Sequence, residues 1–134
     1  MLQGFEHIGM TSGDLDRTIW FYCDLLGLRL HLRKPASSGE VAFLDAGGGM
    51  LEIFAPAEPV SRAQDVPPQT AGMRHMTFAF SDIDPVVQRL EEEGLEIIER
   101  PRLAHNQDVF KRVAFCRDPD GIIVELAERA ASRP

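Results

Sequence analysis

The sequence predicts an α+β fold built from two tandem βαβββ modules. Two observations predict it. The order strand, helix, strand, strand, strand reads twice, on either side of a proline-rich stretch. Chemically similar residues also recur on matching elements. His7 and His75, Asp14 and Asp82, and Asp16 and Asp84 are each 68 positions apart. The "GL" at Gly27 recurs at Gly94, the "VAF" at Val41 recurs at Val113, and Glu52 recurs as Glu125. The offset drifts by a few residues along the chain, as loop insertions would make it.

Each element has a local reason. Gln3 to Met10 reads as a strand, and Ser12 or Asp14 can cap the helix that follows. That helix, "DLDRTIWFYCDLLGL", places Leu15, Ile19, Tyr22 and Leu26 at helical spacing, which marks one buried face. Gly27 is placed to stop it. Three strand-like runs follow, "LRLHLRK", "EVAFLDA" and "MLEIFA", with Gly47-Gly48-Gly49 turning between the last two. Residues 56–72 contain four prolines and little periodicity, so they read as a linker.

The pattern then restarts with a strand, "MRHMTFAF". The helix "SDIDPVVQRLEEEG" follows, with Asp84 as cap, Pro85 in its first turn and Gly94 at its end. After it come the strand "LEIIERP" and a hairpin, "KRVAFCRD" and "GIIVELAE", around the turn "DPDG".

Composition excludes several classes. At 134 residues the chain is the size of one domain and long enough to bury a core without staples. A formal net charge of −7 argues against nucleic acid as the main partner. No apolar run approaches the roughly 18 residues of a membrane span, and "MLQGFEHIGM" lacks the layout of a signal peptide, so a cytoplasmic protein is expected. Cys23 and Cys116 are far apart in apolar surroundings and read as buried thiols.

Four residues carry the chemistry: His7, Glu52, His75 and Glu125. Each half contributes a histidine from its first strand and a glutamate from its last. Strand alternation puts His75, Thr77 and Ala79 on one face, opposite Met76, Phe78 and Phe80. His7 and Gly9 likewise oppose Ile8 and Met10. A carboxylate such as Glu125 inside the apolar run "GIIVEL" is costly unless something neutralises it. A lone histidine or glutamate in a strand is most often structural. Two imidazoles and two carboxylates at repeat-equivalent positions instead make a site for one divalent metal ion with room for a substrate. Mixed nitrogen and oxygen donors leave Zn, Ni, Co, Mn and Fe all open.

The segments "HIGMTSGDLDRTIWFYCDLLGL" and "VAFCRDPDGIIVEL" resemble the vicinal oxygen chelate superfamily, and the resemblance covers Phe5 to Glu128. That superfamily groups glyoxalase I, methylmalonyl-CoA epimerase, extradiol dioxygenases, fosfomycin resistance enzymes and bleomycin-binding proteins. The resemblance implies one domain over residues 1–134, with module one at about 3–55 and module two at about 73–128. It implies a cupped mixed sheet of eight strands with helices outside, and often a homodimer sharing its sites. Carried over by position, the metal ligands are His7, Glu52, His75 and Glu125. A ligand at Glu52 resembles the isomerase and lyase branch, since dioxygenases and fosfomycin enzymes of the family usually use three protein ligands. "VAFLDAGGGMLEIFAP" is similar to epimerases, and "RDPDGIIVEL" to glyoxalase I.

The implied activity is a metal-dependent lyase or isomerase. It chelates two neighbouring oxygens of a small substrate and stabilises an enediolate during proton transfer. Glu125 or Glu52 is the catalytic base; the resemblance favours Glu125, and spacing alone does not separate them. The alternatives are an Fe(II) dioxygenase of the same fold and a non-catalytic binding protein for a drug or metabolite. His31 reads as a strand-surface residue, and His105 as a loop residue with a possible substrate role. Arg102, Lys111 and Arg112 are candidate anion holders. Trp20 and Phe21 read as core or dimer contacts.

Overall fold

In a computed structural model, which describes residues 1–131, the α+β class with two βαβββ modules is as the sequence predicts. The chain divides into two compact units, one spanning Met1–Arg62 and one beginning at Ala63. The first contains β1 (His7–Thr11), α1 (Leu15–Ile19), β2 (Arg29–Ala36), β3 (Gly39–Asp45) and β4 (Met50–Pro56). The second contains β5 (Met76–Ala79), α2 (Asp84–Glu92), β6 (Ile97–Leu103), β7 (Phe110–Arg117) and β8 (Ile123–Arg129). The eight strands divide into two four-stranded mixed sheets, ordered β1-β4-β3-β2 and β5-β8-β7-β6. In each, the first strand of the module runs parallel to its last, and the other pairs are antiparallel.

The first helix begins as its sequence asks. Asp14 is the N-cap, and its carboxylate accepts from the Arg17 N–H at 3.1 Å. Ser12 supports the cap by accepting from the Asp14 N–H (3.1 Å), and its hydroxyl bonds the buried Thr18 hydroxyl at 2.6 Å. That pair brings Thr18 innermost, while Ile19, expected on the buried face, is half-buried. Past Ile19 the helix widens into π-helical turns over Trp20–Leu25. Gly27 ends it in a left-handed conformation (φ 94°), and the Leu28 N–H reaches back six residues to the Tyr22 carbonyl (2.9 Å). Phe21 and Tyr22 are fully buried and meet edge to face at 4.8 Å, so Phe21 is core. Trp20 is half-buried, with the Arg17 guanidinium 4.6 Å over its ring.

The second helix departs from expectation at its start. Ile83, not Asp84, is the cap residue, and Asp84 is the first helical residue. The orphan donors of that turn find other acceptors: the Ile83 N–H donates to Glu128 Oε2 (2.9 Å) and the Asp84 N–H to Asp82 Oδ1 (3.0 Å). The Asp84 side chain is thereby free to pair with Arg112, whose guanidinium holds this carboxyl below the usual range. Gly94 ends the helix with φ 82° as its sequence predicts, and the Leu95 N–H closes on the Leu90 carbonyl (3.0 Å).

The strand β5 is shorter than "MRHMTFAF": its ladder begins at Met76, so His75, expected within the strand, lies one residue before it. Past Pro56, which ends β4, the proline-rich stretch forms no strand or helix, and its part from Ala63 on belongs to the second unit. The Ala63 N–H donates to the Asp120 carbonyl (2.9 Å), and Arg117 donates to both oxygens of Asp65 (2.7 and 2.9 Å). The "DPDG" turn closes around buried Asp118, whose Oδ1 accepts from the Asp120 and Ile122 N–H groups at 2.9 Å each. Among the described residues no helix is long and apolar enough to cross a membrane.

Two predictions follow from this packing. Replacing Glu128 by Ala strands the buried Ile83 N–H and should cost about 2 kcal/mol, as loss of a charge-assisted bond does. Urea unfolding at neutral pH measures this, and an unchanged midpoint would show that water or another acceptor serves the helix start. Both cysteines are free, and burial pushes the Cys116 thiol up to about 12. At pH 8 it carries almost no thiolate, so iodoacetamide should label Cys116 only after denaturation. Native-state labelling of Cys116 at the rate of half-buried Cys23 would contradict its place in the core.

Candidate metal centre

The register of each parallel strand pair sets where the candidate ligands stand. In the first unit Gly9 pairs with Glu52, and His7 lies two residues earlier opposite Met50. In the second unit Thr77 pairs with Glu125, and His75 again lies two residues earlier. Alternation keeps histidine, the pairing residue and glutamate on one face of each sheet. That face is the more open one on the first strands: His7, Gly9 and Thr11 are exposed while Ile8 and Met10 are half-buried, and Thr77 and Ala79 are exposed while Met76 and Phe78 are half-buried.

Both glutamates lie on interior strands, where backbone pairing leaves only the side chain to be satisfied. Glu125 is 9% exposed. Its Oε1 accepts from the Thr77 hydroxyl at 2.6 Å and lies 3.4 Å from His75 Nε2. Glu52 is half-buried. In the first unit the His7 Nδ1 lies 3.1 Å from Glu6 Oε1, an outer carboxylate that orients the ring and leaves Nε2 as its free nitrogen.

A phenylalanine supports each histidine. The His7 ring meets Phe43 edge to face at 6.4 Å, and the His75 ring meets Phe115 at 5.4 Å. Phe43 pairs with Glu52 in the ladder and Phe115 with Glu125. The same trio of histidine, phenylalanine and glutamate therefore recurs in both modules, with His7 opening β1 and His75 just before β5. The supporting phenylalanines are the third letters of the repeated "VAF", a visible signal whose role the sequence did not disclose.

Within the units, then, His75 and Glu125 are brought into contact, while His7 and Glu52 share a face with no hydrogen bond or ion pair between them among the described residues. Among the described residues no group of three or more His, Cys, Asp or Glu side chains is gathered closely enough to hold a metal ion. The donor chemistry of each half does fit a divalent cation. Each presents one imidazole and one carboxylate, and Glu125 is a largely buried carboxylate with no Lys or Arg paired to it among the described residues.

The other candidates have mostly structural partners. Arg112 is held by Asp84 and lies 3.8 Å from Glu128. Arg102 donates twice to Glu99 (3.0 and 2.8 Å), and its guanidinium lies 6.0 Å over the Phe115 ring, beside the second half-site. Lys111, His31 and His105 are exposed. The sequence missed Glu128, whose buried carboxylate serves the start of α2 and not the open face.

Comparison with known proteins identifies the family. Residues 4–126 match the model of the Glyoxalase/Bleomycin resistance protein/Dioxygenase superfamily. A probable lactoylglutathione lyase of Synechocystis is 29% identical over 95% of this chain and 96% of that protein. The glutathione transferase FosA of Serratia marcescens is 31% identical over 94% of this chain and 81% of that protein. The crystal structure of a glyoxalase family protein from Enterococcus faecalis superposes with a TM-score of 0.73 at 26% identity, covering 94% and 98% of the two chains. Matched over nearly its whole length, this chain belongs to the glyoxalase/bleomycin resistance protein/dioxygenase superfamily.

Proposed function

We propose that this protein is a divalent-metal-dependent lyase or isomerase of glyoxalase I or epimerase type, with His7, Glu52, His75 and Glu125 as its metal ligands. The observation that carries the reading is the duplicated His–Phe–Glu trio at equivalent register positions of the two modules. A binding protein has no need of two such pairs, and a site of two histidines and one carboxylate, as an Fe(II) dioxygenase uses, would leave one glutamate over.

The ion, when bound, supplies a Lewis acid for two neighbouring oxygens of the substrate. The chain's own groups do the rest. The imidazoles would act as ligands, each packed edge to face against Phe43 or Phe115, which limits how the ring can turn. One glutamate oxygen takes a proton from the carbon beside the substrate carbonyl and returns it to the same or the adjacent carbon. Two half-sites make the four-ligand set, either within one chain or between two copies in a homodimer. Two relatives carry names from glutathione chemistry, so a glutathione hemithioacetal is the first substrate to assay, and acyl-CoA thioesters the second.

Elemental analysis of the full chain tests the reading. Wild type should hold about one divalent ion per chain, and His7→Ala and His75→Ala, one from each half, should each lose it. Failure of wild type to take up Zn, Ni, Co, Mn or Fe after reconstitution would overturn the enzyme reading. Sedimentation of the same samples with and without the ion reports whether the site is built across two copies.

A further inference from the structure

Strand register puts one cation at the same point of both modules. In the second unit, the row of strand partners that crosses the sheet beyond Glu125 runs Ala79, Ala127, Val113 and Arg102. In the first unit the equivalent row runs Thr11, Phe54, Val41 and Lys34. Ala127 and Phe54 each stand two residues past the glutamate of their strand, so alternation keeps both cations on the histidine and glutamate side. The two cations differ in their company. Arg102 donates twice to Glu99 (3.0 and 2.8 Å), and Glu99 is the ladder partner of Phe115. The ladder partner of Phe43 is Leu32, which has no charge and is 41% exposed. The acids of the β2–β3 hairpin are held by other residues: Glu40 by Arg33 and Asp45 by Arg29. Exposed Lys34 therefore has no carboxylate partner among the described residues.

We infer that the open face of the first unit binds a small amphiphilic anion, with its apolar body on Phe43 and Phe54 and its carboxylate or phosphate on Lys34. Phe43 and Phe54 are half-buried on that face, and Leu32 continues the apolar surface to the edge strand, so an apolar body loses water-exposed area there. Lys34 ends the row on that same edge strand, β2, where its ammonium stays hydrated until an anion arrives. The second unit lacks both features. Ala127 stands where Phe54 does, and Glu99 already occupies the guanidinium of Arg102. The inference rests on the proposed function only for the reaction that follows binding, and there it names the charge of the substrate. Capture of the anion itself needs no metal ion.

Calorimetry on the full chain tests this with three probes: phenylbutyrate, phenyl phosphate and the uncharged phenylbutanol. Wild type should bind at least one of the anions about 3- to 5-fold more tightly than the alcohol, the size of an exposed ion pair, and high salt should remove the preference. The anion that binds more tightly identifies the source, carboxylate or phosphate ester. Lys34→Ala should erase the preference and leave alcohol binding in place, while Lys34→Arg should keep it. Leu32→Glu copies the second unit and should tie Lys34, with the same loss of preference. Phe54→Ala copies it in the other respect and should weaken anion and alcohol alike. Equal affinity for anions and alcohol in wild type, a preference that survives Lys34→Ala, or no binding of any probe would overturn the inference. Elemental analysis reads the metal site separately. A chain that takes up the ion but shows no anion preference keeps the proposed function and loses this inference; a chain with the preference and no ion keeps the anion site and loses the enzyme reading.

Discussion

The pairing of the first strand of each module with its last is the constraint on which the rest depends. It sets Gly9 opposite Glu52 and Thr77 opposite Glu125, and so decides which side chains share a face. A slip of one residue would turn each histidine to the helix side and leave each glutamate where it was. The pairing is parallel, so it needs a long crossover, and the helix of each module provides it. The caps, the glycine stops and the Ser12–Thr18 bond serve that register, because they fix where each helix leaves and rejoins its sheet.

The last strand of the second module shows how one sequence run does two jobs. Glu125 and Glu128 are three residues apart, so alternation sends them to opposite faces. Glu125 faces Thr77 and His75 on the open side. Glu128 faces the helix and accepts from the Ile83 N–H, with Arg112 nearby as counter-charge. Both are buried, and both are tolerated for the same reason: each has a donor within hydrogen-bond reach. Burial of a carboxylate alone therefore does not identify a site. The company it keeps does.

Membership of the family and the identity of a reaction are separate matters, since function lives in the residues grafted on a fold. Here the two modules carry the same histidine, phenylalanine and glutamate but differ at Gly9 and Thr77. Duplication explains the sameness. The difference leaves Glu125 bonded to a hydroxyl and Glu52 opposite a glycine.

By itself the sequence determined the class of fold, the repeat, the helix stops at Gly27 and Gly94, and the four candidate ligands. These are legible because they rest on local chemistry: period, glycine at positive φ, and residue type at a repeated spacing. The tertiary structure alone decided the matters that need partners distant in the chain. It made Ile83 the cap of the second helix because Glu128, 45 residues on, could take its N–H. It gave Phe43 and Phe115 their places beside the histidines, and it put the Thr77 hydroxyl on Glu125 across 48 residues. No local pattern encodes such contacts, because strand register is set by the packing of whole faces and not by any one stretch of chain.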